Sequence, residues 1–465
     1  MLPKNLVYGK KVESSMARSY IGNCYPNGQL SGYNKSTQCT ILIPTRNNLA
    51  LVSTESMLNF DLTLVGATTS NVARMDSSYG HGFIQRIKVF HGSNMIENFE
   101  NYGNEVKKIF DLQVSDDATN GKLNILAGSR SDSVVTIPAL TATANVTPIT
   151  SVSANSFNCG RALSVNNNQP IIYNFSLNLI SLLGTLSTQY VPLWRMTASD
   201  IRLEITFVSD VQSAIACTNA LTDFRIDNIQ YIAQYIELSD SAISIIEGSL
   251  SGRPFEYVVP GMENYTFSSS IQSNSIVNFP VAAKYQSLKA LIVSQRDTAK
   301  GVSANAYFPY SSTSMGTGTA SGVQSYQFKI GTVNLPSIPP VNNTQFFGEV
   351  LKVFGSISDT SYNPGINFES YNLPVPITFD NDPTGKTYAS GNVSSGSFYI
   401  GIDLENYPGS NNDKYFSGYN TVNDNIFCTI RYSSAAVTVT NVRYDCLAIF
   451  DSILTFSNGI CYRSV

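Results

Sequence analysis

Glu105-Val106-Lys107-Lys108-Ile109-Phe110 returns, 244 residues on, as Glu349-Val350-Leu351-Lys352-Val353-Phe354. Each segment reads as a short amphipathic helix. Val106, Ile109 and Phe110, matched by Val350, Val353 and Phe354, fall on one apolar stripe. Lys107, Lys108 and Lys352 are then expected on the solvent face. Six residues alone could recur by coincidence, so the flanking segments decide the matter. Upstream of each helix lies an apolar strand, Ile84–Phe90 in one case and Leu288–Val293 in the other. Downstream, Tyr173-Asn174-Phe175-Ser176-Leu177-Asn178 pairs with Phe398-Tyr399-Ile400-Gly401-Ile402-Asp403. Ile201–Phe207 then pairs with Ile426–Tyr432, and Asn228-Ile229-Gln230-Tyr231 with Asn441-Val442-Arg443-Tyr444. Five elements recur in one order, at offsets of about 204, 244, 225, 225 and 213 residues. Loops between conserved elements tolerate such length changes, so the chain reads as a duplicated unit.

The unit is built of strands. Leu58, Phe60, Leu62 and Leu64 alternate with polar residues, as do Ile201, Leu203, Ile205 and Phe207, and Phe398, Ile400, Ile402 and Leu404. Many such runs, separated by Gly-, Pro-, Asn- and Ser-rich stretches, indicate antiparallel sandwiches rather than a parallel α/β sheet. Asn27-Gly28, Asn120-Gly121 and Asn458-Gly459 supply residues that accept positive φ in turns. The division expected is an arm at 1–40, a first sandwich at 41–245 and a second at 246–465. Ser239–Pro254, with its Gly, Ser and Pro, reads as a short linker. Gln113–Gln169 and Asp297–Gly322 read as long irregular loops.

Composition agrees. A chain of 465 residues is too long for one ordinary domain. Charged residues are 13%, about half the usual share, and hydrophobic residues 43%. Neutral polar loops, with much of the surface covered by neighbours, suit such a chain. A net charge of −4 argues against extensive nucleic-acid contact, which needs a basic face. Lys4, Lys10, Lys11 and Arg18 make the N-terminus locally basic, which reads first as a solvated terminus. No segment reaches the ~18 apolar residues of a membrane helix, and the first residues lack the apolar core of a signal peptide. The seven cysteines are odd in number and show no metal-type pairing, which favours free thiols in a reducing compartment. Cys428 and Cys446 fall inside strand-like runs and are expected to act as small buried hydrophobes.

Candidates for chemistry are weak. His81 and His91 are the only histidines, and neither sits in a nucleophile-elbow, zinc or nuclease context. Asp380-Asn381-Asp382-Pro383 resembles part of a calcium loop but lacks the distal Glu. Thr384-Gly385-Lys386-Thr387 lacks the first glycine of a phosphate-binding loop. Asp116-Asp117 are neighbours in a polar stretch and are expected to face solvent rather than a sugar. Trp194, the single tryptophan, is expected at a packed corner or a subunit interface. No catalytic, cofactor-binding or metal-binding residue is assigned, and no enzyme activity is expected.

Three stretches carry a resemblance. The first is Tyr326-Gln327-Phe328-Lys329-Ile330-Gly331, then Leu335-Pro336-Ser337-Ile338-Pro339 and the helix through Phe354. The second is Gly401-Ile402-Asp403-Leu404-Glu405 followed by Ser417-Gly418-Tyr419-Asn420-Thr421. The third is Leu177 to Gly184 followed by Tyr190-Val191-Pro192-Leu193. Together with the duplication they resemble the double jelly-roll major capsid proteins of the adenovirus lineage, above all those of polinton-like viruses and virophages. The resemblance implies an all-β chain of two tandem eight-stranded jelly rolls, each with a short helix. It implies a pseudo-hexagonal homotrimer that tiles the icosahedral shell of a double-stranded DNA virus. Neighbouring capsomers, penton proteins and minor or cement proteins are the implied partners, with the N-terminal arm on the inner face, where an internal membrane would lie. The implied place is the virion, after synthesis inside the host cell without secretion. The alternative is a two-domain receptor- or carbohydrate-binding virion spike, which would need exposed aromatic clusters or a calcium site.

Overall fold

The computed structural model describes residues 17–29, 31–65, 71–129, 159–165, 171–217, 223–250, 253–298, 313, 322–355, 357, 364, 366, 371, 396–406, 416–436 and 438–465. In chain order the first half runs β1 (Ala17–Cys24), β2 (Gln38–Ile43), β3 (Leu49–Leu51), β4 (Met57–Val65), β5 (Asn71–Asp76), β6 (Ile84–His91) and β7 (Asn94–Glu100). Helices α1 (Tyr102–Gln113), α2 (Asp116–Asn120) and α3 (Lys122–Leu126) follow, then β8 (Cys159–Val165), β9 (Ile172–Leu177), β10 (Ile201–Phe207), β11 (Ile215–Cys217) and β12 (Asp223–Leu238). The second half opens with α4 (Asp240–Ser249), then β13 (Phe255–Ile271), β14 (Ile276–Val281), β15 (Leu288–Asp297), β16 (Val323–Ile330) and β17 (Val333–Leu335). It closes with α5 (Asn343–Leu351), β18 (Ile400–Asp403), β19 (Ile426–Tyr432), β20 (Val439–Ser457) and β21 (Ile460–Ser464).

The hydrogen-bonded order repeats. One sheet of the first half runs β1-β12-β4-β9 and its partner β2-β10-β6-β7. The second half has β13-β20-β15-β18 and β14-β19-β16-β17. Every pairing is antiparallel, and no ladder joins the halves among the described residues. The duplication expected from sequence is therefore present, with one correction. Ile84–Phe90 lies in β6, whose counterpart is β16, at Val323–Ile330, and Leu288–Val293 in β15 matches β4 instead. Both are apolar strands upstream of a helix, and composition alone could not tell them apart. Within the stretch expected as an arm, Ala17–Cys24 pairs along β12 from Leu238 to Tyr231.

The alternation expected from sequence fills the cores. Ile201, Leu203, Ile205 and Phe207 are buried along β10 while Arg202, Glu204 and Thr206 are not. Phe398–Ile402 differs, being buried on both faces. The long strand β20 is likewise buried continuously from Tyr444 to Ser452. Part of the outer face of the sheet β13-β20-β15-β18 is thus covered too, by β7 of the first half and by polar contacts from α1.

Four local expectations change. The second copy's helix ends at Leu351, so Val353 and Phe354 lie in the turn beyond it. Ser239–Pro254 contains the helix α4, whose N-cap Ser239 accepts from the Ala242 amide at 3.3 Å. That start signal sits inside a stretch whose Gly and Pro suggested only a linker. Asn120-Gly121 joins α2 to α3 rather than two strands, while Asn458 (φ 53°) and Gly459 (φ 76°) make the tight turn between β20 and β21. Gln113–Gln169, expected as an irregular loop, holds the short helices α2 and α3 and the strand β8 among its described residues.

Candidate functional site: the seam between the two halves

Helix α1 presses on the 3₁₀ turn Tyr79–Phe83. A Cβ on Gly103 would stand 2.9 Å from the Gly82 backbone, so glycine at position 103 permits the approach. The helix then faces the outer surface of the second half's sheet. Its two lysines are buried there, each 1% exposed, against the expectation of a solvent face. The Lys107 ammonium meets Asp76 Oδ1 at 3.0 Å, Ser77 Oγ at 2.8 Å and Asp111 Oδ2 at 3.5 Å. The Lys108 ammonium meets both Glu105 oxygens, at 3.0 and 2.8 Å, and the Asp445 main-chain carbonyl at 2.9 Å. Each ammonium thus uses its three donors, the condition under which a buried lysine is tolerable. In the second copy Leu351 replaces Lys107, and Lys352 stays at the surface with Glu349 at 2.6 Å. The solvent-face expectation holds for Lys352 alone.

Asp445 is the hub on the far side. Its side chain is fully buried in β20, where Oδ2 accepts from Arg296 Nε at 2.8 Å, with Arg296 Nη2 at 2.5 Å, and Oδ1 accepts from Arg443 Nε at 2.8 Å. Asn101, the αL residue preceding α1, donates to Oδ1 at 3.2 Å across the seam. Burial raises the pKa of this carboxyl, but Arg296, Arg443 and Lys108 more than offset it and hold it at about 2. Asp111 makes the second crossing, accepting from Ser397 Oγ and Tyr399 Oη, both at 2.7 Å.

A third crossing lies at the C-terminal hairpin. His91 Nδ1 accepts from the Cys461 amide at 3.1 Å, while Nε2 donates toward the Met196 and Ser199 carbonyls at 3.1 and 2.8 Å. Arg463 Nη1 donates to the Ile96 carbonyl at 2.9 Å, and the Ala198 amide donates to the Gly459 carbonyl at 3.1 Å. Trp194 packs edge-on against Phe255, ring centres 6.1 Å apart, at this same junction. A packed corner is what the sequence suggested for it.

The other residues weighed for chemistry do not converge. His81 is buried in the turn under α1, its Nδ1 3.0 Å from the Tyr102 hydroxyl, and burial lowers its pKa to about 3. It does not share a site with His91. Asp117 is exposed on α2. Asp380–Pro383 and Thr384–Thr387 lie outside the described residues, and among the described residues no three His, Cys, Asp or Glu side chains group as metal ligands. Cys24, Cys39, Cys428, Cys446 and Cys461 are free and buried, as expected for the two in strands.

No protein-family profile and no curated protein matches the chain. Solved structures do match, over nearly its whole length. The capsid of the virus PBCV-1 superposes with a TM-score of 0.59 at 11% identity, covering 99% of each chain. The Faustovirus major capsid protein gives 0.59 at 10%, covering 97% of this chain and 92% of that one. The mavirus major capsid protein gives 0.51 at 9%, covering 100% and 95%.

The fold is a double jelly roll.

In this double jelly roll the charged seam was invisible to the repeat analysis, because it is what the two copies do not share. Two signals in the sequence point to it. Glu105, Lys107, Lys108 and Asp111 stand at the i,i+3 and i,i+4 spacings of helical ion pairs. Asp445 interrupts the otherwise apolar run Tyr444-Cys446-Leu447-Ala448.

Proposed function

We propose that the chain is a major capsid protein, which assembles as a pseudo-hexagonal homotrimer and tiles the icosahedral shell of a double-stranded DNA virus. One observation carries this reading: equivalent surfaces of the two rolls are used unequally. The outer face of β13-β20-β15-β18 takes contacts from α1 at Asp445 and beside β18 at Tyr399, whereas β1-β12-β4-β9 leaves Asn174, Arg225 and Ile172 exposed. Helix α5 holds the place of α1 in its own roll, and beside it Ile338 and Val341 are exposed. A head-to-tail contact made once within the chain therefore has its two halves unoccupied at the ends. Repetition around a threefold axis would close the ring with six similar rolls. The three structures reported above are capsid components by their descriptions, which favours this reading over a carbohydrate- or receptor-binding spike.

The role is then structural rather than catalytic, in keeping with histidines engaged in packing. The first roll would begin at β1, with the arm confined to residues ahead of Ala17 and turned toward the shell interior or an internal membrane. Neighbouring capsomers, penton proteins and minor or cement proteins would be the partners, in a virion assembled inside the host cell. Light scattering on the purified chain tests the assembly. A mass near three times 50.6 kDa supports the trimer, and a stable species of 50.6 kDa contradicts it.

A further inference from the structure

A cavity of about 930 Å³ opens along the seam. The first roll contributes Met57, Phe110 and Leu126 to its wall, and the second contributes Met262, Phe354 and Ile449. Its size is that of a small-molecule site, and its wall is mainly apolar. His81 reaches this wall although the residue is only 2% exposed. The Ile180 amide donates to the Tyr102 hydroxyl at 2.9 Å, so that hydroxyl turns its own proton to His81 Nδ1 at 3.0 Å. The remaining imidazole proton is thereby placed on Nε2, which has no hydrogen-bond partner among the described residues. Asn178, also on the wall, spends its amide protons on the Thr54 and Ser56 carbonyls. The charges of the wall balance. Lys289 is taken by Glu405 at 2.6 Å with Asp451 at 3.8 Å behind it, and the wall carries one further acid, Glu55, and one further base, Lys122. A donor that opens on an apolar, charge-balanced cavity fits an uncharged acceptor on an apolar body.

We propose that this inter-roll cavity binds a neutral lipid-like molecule, whose carbonyl or hydroxyl oxygen accepts from His81 Nε2 and whose apolar body lies between α1, α3 and the second roll's sheet. Because the wall is drawn from both rolls, the ligand would bind only the docked pair and would stabilise it. The site is independent of whether the chain forms trimers.

Nile red, an uncharged dye with a carbonyl acceptor, is a suitable probe. Titrated into the intact chain, it should bind saturably at one dye per chain and gain fluorescence. Leu126→Trp, on the exposed side of α3, puts an indole into the wall and should weaken saturable binding severalfold while leaving the thermal midpoint near wild type. His81→Phe keeps the ring and removes the donor, and should weaken binding about tenfold, the equivalent of one lost hydrogen bond. The anionic dye anilinonaphthalene sulfonate should bind more weakly than Nile red. Absence of saturable Nile red binding, or equal binding by wild type and Leu126→Trp, would overturn the proposal. Unchanged affinity in a folded His81→Phe, or preference for the anionic dye, would also overturn it.

Discussion

Lys108, on the helix of the first roll, donates at 2.9 Å to the main-chain carbonyl of Asp445, in the middle of the second roll's longest strand. The same ammonium is paired with Glu105, so one residue joins an ion pair of its own roll to the backbone of the other. Its counterpart Lys352 pairs only with Glu349, and 43% of its side chain is exposed. Lys108→Met should therefore destabilise the chain by about 3–5 kcal/mol, because it strands a buried carboxylate. Lys352→Met should cost less than about 1 kcal/mol. Urea unfolding of the two variants side by side checks the contrast, and equal losses would mean that the seam is not where the lysine acts.

Asp445 gives the seam a pH signature. Its folded pKa, about 2, lies below the unfolded value of about 3.9. Its contribution is therefore fully present above about pH 4 and is lost as the pH falls toward 2, and amounts to about 2–3 kcal/mol at neutrality. Asp445→Asn should be less stable than wild type at pH 7, with the gap narrowing between pH 5 and pH 3. A gap that widens on acidification would contradict the assignment of the charged form.

Asp111 and Tyr399, 288 positions apart, meet at 2.7 Å. Tyr399→Phe should cost about 1–3 kcal/mol by leaving the buried carboxylate short of a donor. In a double-mutant cycle with Asp111→Asn the two changes should be strongly non-additive. Additive losses would show that the contact does not hold the rolls together.

Thiol chemistry reads the packing of both rolls at once. Cys24, Cys39, Cys428, Cys446 and Cys461 are buried, and burial pushes Cys446 and Cys461 up to about 12. In native protein no more than two of the seven cysteines, Cys159 and Cys217, should react with Ellman's reagent. All seven should react in denaturant. Fast native reaction of a third would show that one roll opens.

The architecture was largely legible because its signals are local and periodic. The alternation at Ile201–Phe207 and the Asn458-Gly459 turn each follow from a few neighbouring residues. The repeat was legible because both rolls solve one packing problem with similar strands. What was missed depends on contacts across the chain. Nothing within six residues of Lys107 says that Ser77 and Asp76 will meet its ammonium, so an amphipathic helix puts that lysine in water by default. The swap of Ile84–Phe90 for Met57–Val65 has a related cause: two buried apolar strands look alike, and only pairing with β12 or β10 distinguishes them.

The central claim is that two unlike-used rolls close into a ring of six. Negative-stain images of the purified particle test it most directly. Class averages should show threefold symmetry and six lobes of similar size around a closed ring. Averages of isolated particles with only two lobes, at concentrations where the chain is folded, would contradict it.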